Sequence, residues 1–78
     1  MTIGREDVIV AIIESEVLDS SSNVRDDVKL TDQGVDSLGM FNILLVLAER
    51  YDMEIPDRDA ERLQTVDQIV AYFNQRLG

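Results

Sequence analysis

The chain has 78 residues, of which 45% are hydrophobic and 29% are charged, a balance typical of one small globular domain. It contains neither cysteine nor histidine, which excludes disulfides, thiolate metal ligands and the commonest general base. The net charge of −9 repels nucleic acids and anionic membranes and attracts proteins with basic patches. We therefore expect one monomeric domain over residues 1–78 that binds no nucleic acid, membrane or metal ion and is not an enzyme.

The first residues carry Glu6 and Asp7, where a signal peptide would have a basic and then an apolar region. No apolar run approaches the roughly 20 residues that a membrane-spanning helix needs. A cytoplasmic location is the resulting expectation.

The first predicted helix covers residues 5–18, because apolar residues recur there along one helical face. These residues are Val8, Ile9, Ile12, Ile13 and Val17. Five small polar residues at 19–23 interrupt the pattern and begin a long loop that reaches about residue 35. Val24, Val28 and Leu30 are expected to anchor this loop to the core.

The second predicted helix begins at Asp36, a favourable N-cap residue, and extends to about Tyr51. Nine of the eleven residues from 38 to 48 are hydrophobic, so this helix is either central or carries a binding face. The predicted core face consists of Met40, Leu44, Leu47 and Tyr51. The opposite side then presents Leu38, Asn42, Leu45, Val46 and Glu49.

Two further helices are predicted near the end of the chain. Pro56 precedes a short helix over residues 57–61, and Thr65 with Gln68 forms a capping box that opens the last helix. Its buried stripe is Val66, Ile69, Val70, Phe73 and Leu77. The sequence thus predicts an all-α bundle of three or four helices with a long first connection.

The segment Gly34-Val35-Asp36-Ser37-Leu38 contains the most informative residues. Ser37 would lie in the first turn of the second helix, where unpaired amides and the helix dipole favour a phosphate. The alternative is simple capping, in which Asp36 or Ser37 pairs with those amides and has no other role.

This segment and its surroundings resemble acyl carrier proteins, in which an Asp-Ser-Leu motif opens the second helix of a four-helix bundle. The approach Leu30-Thr31-Asp32-Gln33-Gly34-Val35 matches the family in type. The stretch from Leu47 to Pro56 resembles the end of its second helix, and Thr65-Val66 resembles the start of its last one. The resemblance covers essentially the whole chain.

The resemblance implies a covalent 4′-phosphopantetheine arm on Ser37, transferred from coenzyme A by a separate phosphopantetheinyl transferase. Asp36 and Leu38 would flank the arm, with Asp36 also engaging the transferase and its magnesium. The chain would then be a substrate of other enzymes, carrying acyl groups as thioesters in fatty-acid, lipid or polyketide-type biosynthesis.

Two surfaces follow from the resemblance and the helix patterns. Acyl-loading and acyl-transferring enzymes with basic patches would dock on Asp32, Asp36, Leu38, Asn42, Leu45 and Glu49, unless other helices bury Leu38 and Leu45. An acyl pocket would lie where the second, third and fourth helices converge, lined by Phe41, Leu45, Leu47, Ile55, Leu63 and Ile69.

Some residues depart from the pattern of fatty-acid carriers. Gly39 and Asn42 stand where that family commonly has acidic residues, and Gln33 replaces a commonly apolar residue. A glycine after the motif leucine resembles D-alanyl carrier proteins. The alternatives are therefore a dedicated aminoacyl carrier and a carrier-like interaction module without an arm.

Overall fold

The structure is a computed structural model that describes residues 2–15 and 23–77. All regular secondary structure in these two ranges is helical. The elements are α1 (Arg5–Glu14), a 3₁₀ turn (Leu30–Gln33), α2 (Ser37–Arg50), α3 (Asp57–Ala60) and α4 (Val66–Leu77). This confirms the four-helix bundle with a long first connection and a short third helix. None of the helices in the described ranges is long and apolar enough to span a membrane.

The starts of α2 and α4 have the predicted caps. The Asp36 carboxylate accepts a hydrogen bond of 2.6 Å from the backbone N–H of Gly39. At α4, the Thr65 hydroxyl accepts from the Gln68 N–H at 3.1 Å, and the Gln68 side-chain oxygen accepts from the Thr65 N–H at 3.1 Å. Each cap supplies partners for amides that the helix itself leaves unpaired, which fixes where the chain enters the helix.

The core lies where α1 packs against α2 and α4, with the 3₁₀ turn against α2. Phe73 is fully buried at its centre and contacts two tyrosine rings edge-on, Tyr51 and Tyr72, with ring centroids 6.0 Å apart in both pairs. Other fully buried side chains come from every part of the bundle except α3: Val8, Ile12, Leu30, Ile43, Leu47, Val66 and Ile69.

The buried face of α1 differs from the prediction. Ala11 is buried with Val8 and Ile12, whereas Ile13 is 38% exposed, because Ile13 lies about 140° around the helix from Val8. Helix α1 is described only to Glu14. The predicted extension to residue 18, with Val17, lies outside the described residues, as does the loop segment 19–22.

The buried face of α2 is also rotated relative to the prediction. Ile43 is fully buried, whereas Met40 and Tyr51 are only half-buried. Since this helix is apolar almost all round, periodicity could not identify the covered face, and the packing of α1 decides it. In the loop, Leu30 is fully buried as expected, and Val24 packs against the core.

Candidate functional site

Ser37 is exposed at the first residue of α2, and the turn before it determines how it is presented. Gly34 ends the 3₁₀ turn with a φ of 100°, a left-handed conformation that glycine adopts without steric penalty. Val35 follows, 2% exposed, and its N–H donates to the Leu30 carbonyl at 3.1 Å. The reversal at Gly34 and the buried Val35 therefore hold the start of α2 against the bundle.

Capping of α2 is performed by Asp36. Its side chain accepts the hydrogen bond from Gly39, so the amide that an N-cap residue serves is already paired. The Ser37 hydroxyl is not needed for this purpose, and it remains available at the surface next to the positive end of the α2 dipole.

Ser37 also lines a cavity of about 860 Å³ between α2 and the segment that follows it. Most of the lining side chains are apolar: Met40, Phe41, Leu44, Leu45, Ala48, Met53, Ile55, Ala60 and Leu63. The polar lining residues besides Ser37 are Lys29, Thr31, Glu54, Asp57, Glu61 and Gln64. A hydroxyl group and an apolar cavity are thus parts of one site.

The lining agrees only partly with the predicted acyl pocket. Phe41, Leu45, Ile55 and Leu63 line this cavity, whereas Leu47 and Ile69 are not among its lining residues. Both are fully buried in the core, because their side chains pack between helices.

Sequence reasoning missed Met40, Leu44 and Met53 in the lining. Met40 and Leu44 are four residues apart, so their position on one helical face was readable from the sequence. We had assigned both residues to the core and therefore did not predict that they also line the cavity. The residues between α2 and α3 leave part of this helical face uncovered.

An apolar stripe of Leu38, Phe41 and Leu45 lies on the surface of α2, beginning next to Ser37. These side chains are 67%, 57% and 44% exposed, respectively, so other helices do not bury Leu38 and Leu45. The predicted acidic neighbours Asp32, Asp36 and Glu49 are exposed as well, whereas Asn42 is half-buried. The exposure of Phe41 was not anticipated, because it was expected only inside the pocket.

Gln33 joins the long loop to the turn that precedes the site. Its side-chain oxygen accepts from the Arg25 N–H at 2.7 Å, and its nitrogen donates to the carbonyls of Arg25 and Val28, both at 2.9 Å. This half-buried amide thus makes three hydrogen bonds, which explains why a polar residue occurs where carriers commonly have an apolar one.

We expect Gln33→Leu to lower the free energy of unfolding by about 1–3 kcal/mol, because loop amide and carbonyl groups lose their partners. Urea unfolding followed by circular dichroism measures the change. Gln75→Leu, at an exposed position of α4, is the matched control and should change stability little. Equal effects of the two substitutions would contradict the structural role of Gln33.

Comparison with known proteins supports the resemblance. The family profile described as "Phosphopantetheine attachment site" matches residues 7–73. The acyl carrier protein of Akkermansia muciniphila is 35% identical over 74 residues, covering 94% of this chain and 92% of that one. The acyl carrier protein of Chlamydia felis is 32% identical over 73 residues, with 94% of each chain covered.

Solved structures agree with this comparison. The 5-phenyl-3-oxo-pentyl actinorhodin acyl carrier protein of Streptomyces coelicolor matches with a TM-score of 0.81 and 28% identity, covering 99% of this chain and 93% of that one. Butyryl acyl carrier protein from the actinorhodin polyketide synthase of the same organism matches with a TM-score of 0.79 and 26% identity, with the same coverage. With its helical bundle and the serine at the start of α2, the chain belongs to the acyl carrier proteins, the family whose prosthetic group is covalently attached 4′-phosphopantetheine.

Proposed function

We propose that Ser37 bears the 4′-phosphopantetheine arm and that the adjacent cavity receives an apolar acyl group carried on it. The observation that supports this most is the position of Ser37, exposed at the start of α2 and in the lining of the apolar cavity. When bound, the arm supplies the thiol that the chain lacks, on which acyl groups are held as thioesters.

The Ser37 hydroxyl oxygen would attack a phosphorus atom of the coenzyme A pyrophosphate. A new bond forms between this oxygen and phosphorus, and the bond from phosphorus to the departing 3′,5′-ADP breaks. The hydroxyl proton passes to a base of the transferase, since the chain has no histidine and Asp36 accepts the capping bond from Gly39. The amides at the start of α2 would then stabilise the phosphate left on Ser37.

Incubation of the chain with coenzyme A, magnesium and a promiscuous phosphopantetheinyl transferase tests the attachment. Intact mass spectrometry should show one added arm, and fragmentation should place it on Ser37. An unchanged mass would contradict the proposal and favour the interaction module without an arm.

An apolar acyl cargo fits this site better than an amino acid does. Nine apolar residues line the cavity, whereas an aminoacyl group is too small and polar to need them. The similar actinorhodin carrier was solved in butyryl and 5-phenyl-3-oxo-pentyl forms, which supports the same assignment. We infer delivery of such groups between enzymes of fatty-acid, lipid or polyketide-type biosynthesis.

Thermal melts of the loaded chain separate these cargo classes. An octanoyl group should raise the midpoint relative to the arm alone, because it buries apolar surface in the cavity, and an alanyl group should not. Equal midpoints for all three forms would contradict cargo burial and favour the aminoacyl alternative.

Partner enzymes would dock on the apolar stripe of α2, steered by the surrounding carboxylates. The stripe begins at Leu38, directly after Ser37, so an enzyme that reaches Ser37 must also come close to the stripe. Residue 39 is a glycine and Asn42 is uncharged. Neither residue offers a carboxylate, which favours apolar over ionic contacts at close range.

We expect Leu38→Ala and Phe41→Ala each to reduce kcat/KM for arm transfer by about tenfold, which corresponds to about 1.4 kcal/mol of lost apolar contact. Val10→Ala is the matched control, because Val10 is 43% exposed on α1, a different helix. Steady-state transfer of a fluorescent coenzyme A analogue measures all three. A loss for Val10→Ala as large as for the α2 variants would contradict docking on the stripe.

A further inference from the structure

Helix α3 forms part of the cavity wall although it is poorly anchored by apolar packing. It has only four residues, Asp57–Ala60, and none of them is buried. Asp57 and Ala60 nevertheless line the cavity, as do Glu61 and Leu63 just after the helix. Ala60 and Leu63 pack against the core, so apolar contacts hold only the C-terminal end of this wall.

Helix α3 itself is joined to α4 by polar contacts of one carboxylate. The Asp59 Oδ2 atom accepts a hydrogen bond from the Tyr72 hydroxyl at 2.9 Å and an ion-paired one from Arg76 at 3.2 Å. The Arg76 guanidinium also lies over the Tyr72 ring, 4.5 Å from its centroid. We call Asp59, Tyr72 and Arg76 the α3 anchor.

Two residues of the α3 anchor, Tyr72 and Asp59, are held by packing and burial. The Tyr72 ring packs edge-on against the fully buried Phe73, and the Asp59 side chain is only 22% exposed. Burial, and secondarily the hydrogen bond to Asp59, raises the pKa of Tyr72 above its usual value of 10.0, so the hydroxyl stays protonated as a donor at neutral pH. Hydrogen bonds to a charged acceptor are stronger than neutral ones.

We propose that Asp59 is a positioning residue, whose bonds to Tyr72 and Arg76 fix α3 against α4 and so close one side of the cavity. Release of Asp59 lets α3 move away from α4 and opens the cavity further to solvent. The part of this inference that concerns cargo rests on the function proposed above, whereas the part that concerns α3 does not.

Hydrogen exchange of the chain without an arm tests the anchor directly. Tyr72→Phe removes the hydroxyl but keeps the ring against Phe73. We expect exchange of the amides of Ala60, Glu61 and Leu63 to accelerate about tenfold, the effect of losing one hydrogen bond to a charged group. These amides donate to carbonyls of residues 56–60, so their exchange reports the opening of α3.

Tyr51→Phe is the matched control. Tyr51 also contacts Phe73 edge-on at 6.0 Å, lies at the C-terminal end of α2, and does not line the cavity. A purely structural role for the tyrosine hydroxyls predicts the same exchange at residues 60–63 in both variants. Unchanged exchange in Tyr72→Phe, or an equal rise in Tyr51→Phe, would overturn the proposal.

Asp59→Asn provides a second, independent variant. Its side-chain oxygen can still accept from Tyr72 but no longer forms the ion pair with Arg76, so exchange should be intermediate between wild type and Asp59→Ala. Identical exchange in Asp59→Ala and wild type would overturn the assignment to Asp59.

The cargo part is tested with octanoyl-loaded chains. Without the anchor, hydroxylamine should cleave the octanoyl thioester, to octanoyl hydroxamate and the free thiol of the arm, about tenfold faster in Tyr72→Phe than in Tyr51→Phe, because the opened wall exposes it. If Tyr72→Phe accelerates hydrogen exchange but both variants lose the thioester at the same rate, the anchor holds α3 in place and has no effect on the cargo. Failure of Ser37 to accept an arm would reject the proposed function but leave the exchange result valid.

Discussion

Replacing Ser37 with alanine is expected to abolish attachment of the arm completely while leaving the bundle folded. The hydroxyl oxygen is the atom that would form the bond to phosphorus, so no partial activity can remain. The fold should be retained because Ser37 is exposed and Asp36, not Ser37, caps α2. Intact mass after incubation with transferase and coenzyme A measures attachment, and circular dichroism measures the fold.

Ser15→Ala is the matched control for this experiment. Ser15 lies just after α1, and its hydroxyl donates to the Ile12 carbonyl at 2.9 Å. This variant should accept one arm as the wild type does. An arm on Ser37→Ala would show that another serine is modified, with Ser20, Ser21 and Ser22 as the next candidates in the sequence.

The second large effect is expected for Phe73→Ala, which should lower the free energy of unfolding by about 3–5 kcal/mol. Phe73 is fully buried and contacts both Tyr51 and Tyr72, so its loss leaves a cavity at the centre of the bundle. Because small domains are stable by only about 5–15 kcal/mol, this loss would remove a large part of the total stability. Urea unfolding followed by circular dichroism measures the loss.

Phe41→Ala provides the comparison for stability, since it removes the same side chain from a position that is 57% exposed. It should change the free energy of unfolding by less than about 1 kcal/mol. The two variants thus separate the phenylalanine of the core from the phenylalanine of the surface stripe. Similar losses in both would contradict the described packing.

Local residue patterns were sufficient to predict where α2 and α4 begin. Capping is a local interaction between residues three positions apart, so Asp36, Thr65 and Gln68 could be identified without knowledge of the bundle. The resemblance of the motif at residues 34–38 likewise identified the family, because it depends on residue types in order along the chain.

Packing between helices, rather than the local pattern, determines which sides of α1 and α2 are covered. Apolar residues occur almost all round α2, so the pattern does not distinguish a buried position from an exposed one. In the fold, Ile43 is fully buried, Met40 is half-buried and Phe41 is exposed. For the same reason, Leu47 was expected in the cavity and instead lies in the core.

Contacts between segments that are distant along the chain could not be predicted from the sequence either. The bonds of Gln33 to the loop and of Asp59 to Tyr72 and Arg76 join residues up to 17 positions apart. Polar side chains of this kind are common on helix surfaces, and nothing in their local pattern distinguishes an anchor from a solvated group. The position of α3, and with it one wall of the cavity, therefore depends on tertiary contacts, because none of the four residues of α3 is fully buried and their local pattern specifies no partner.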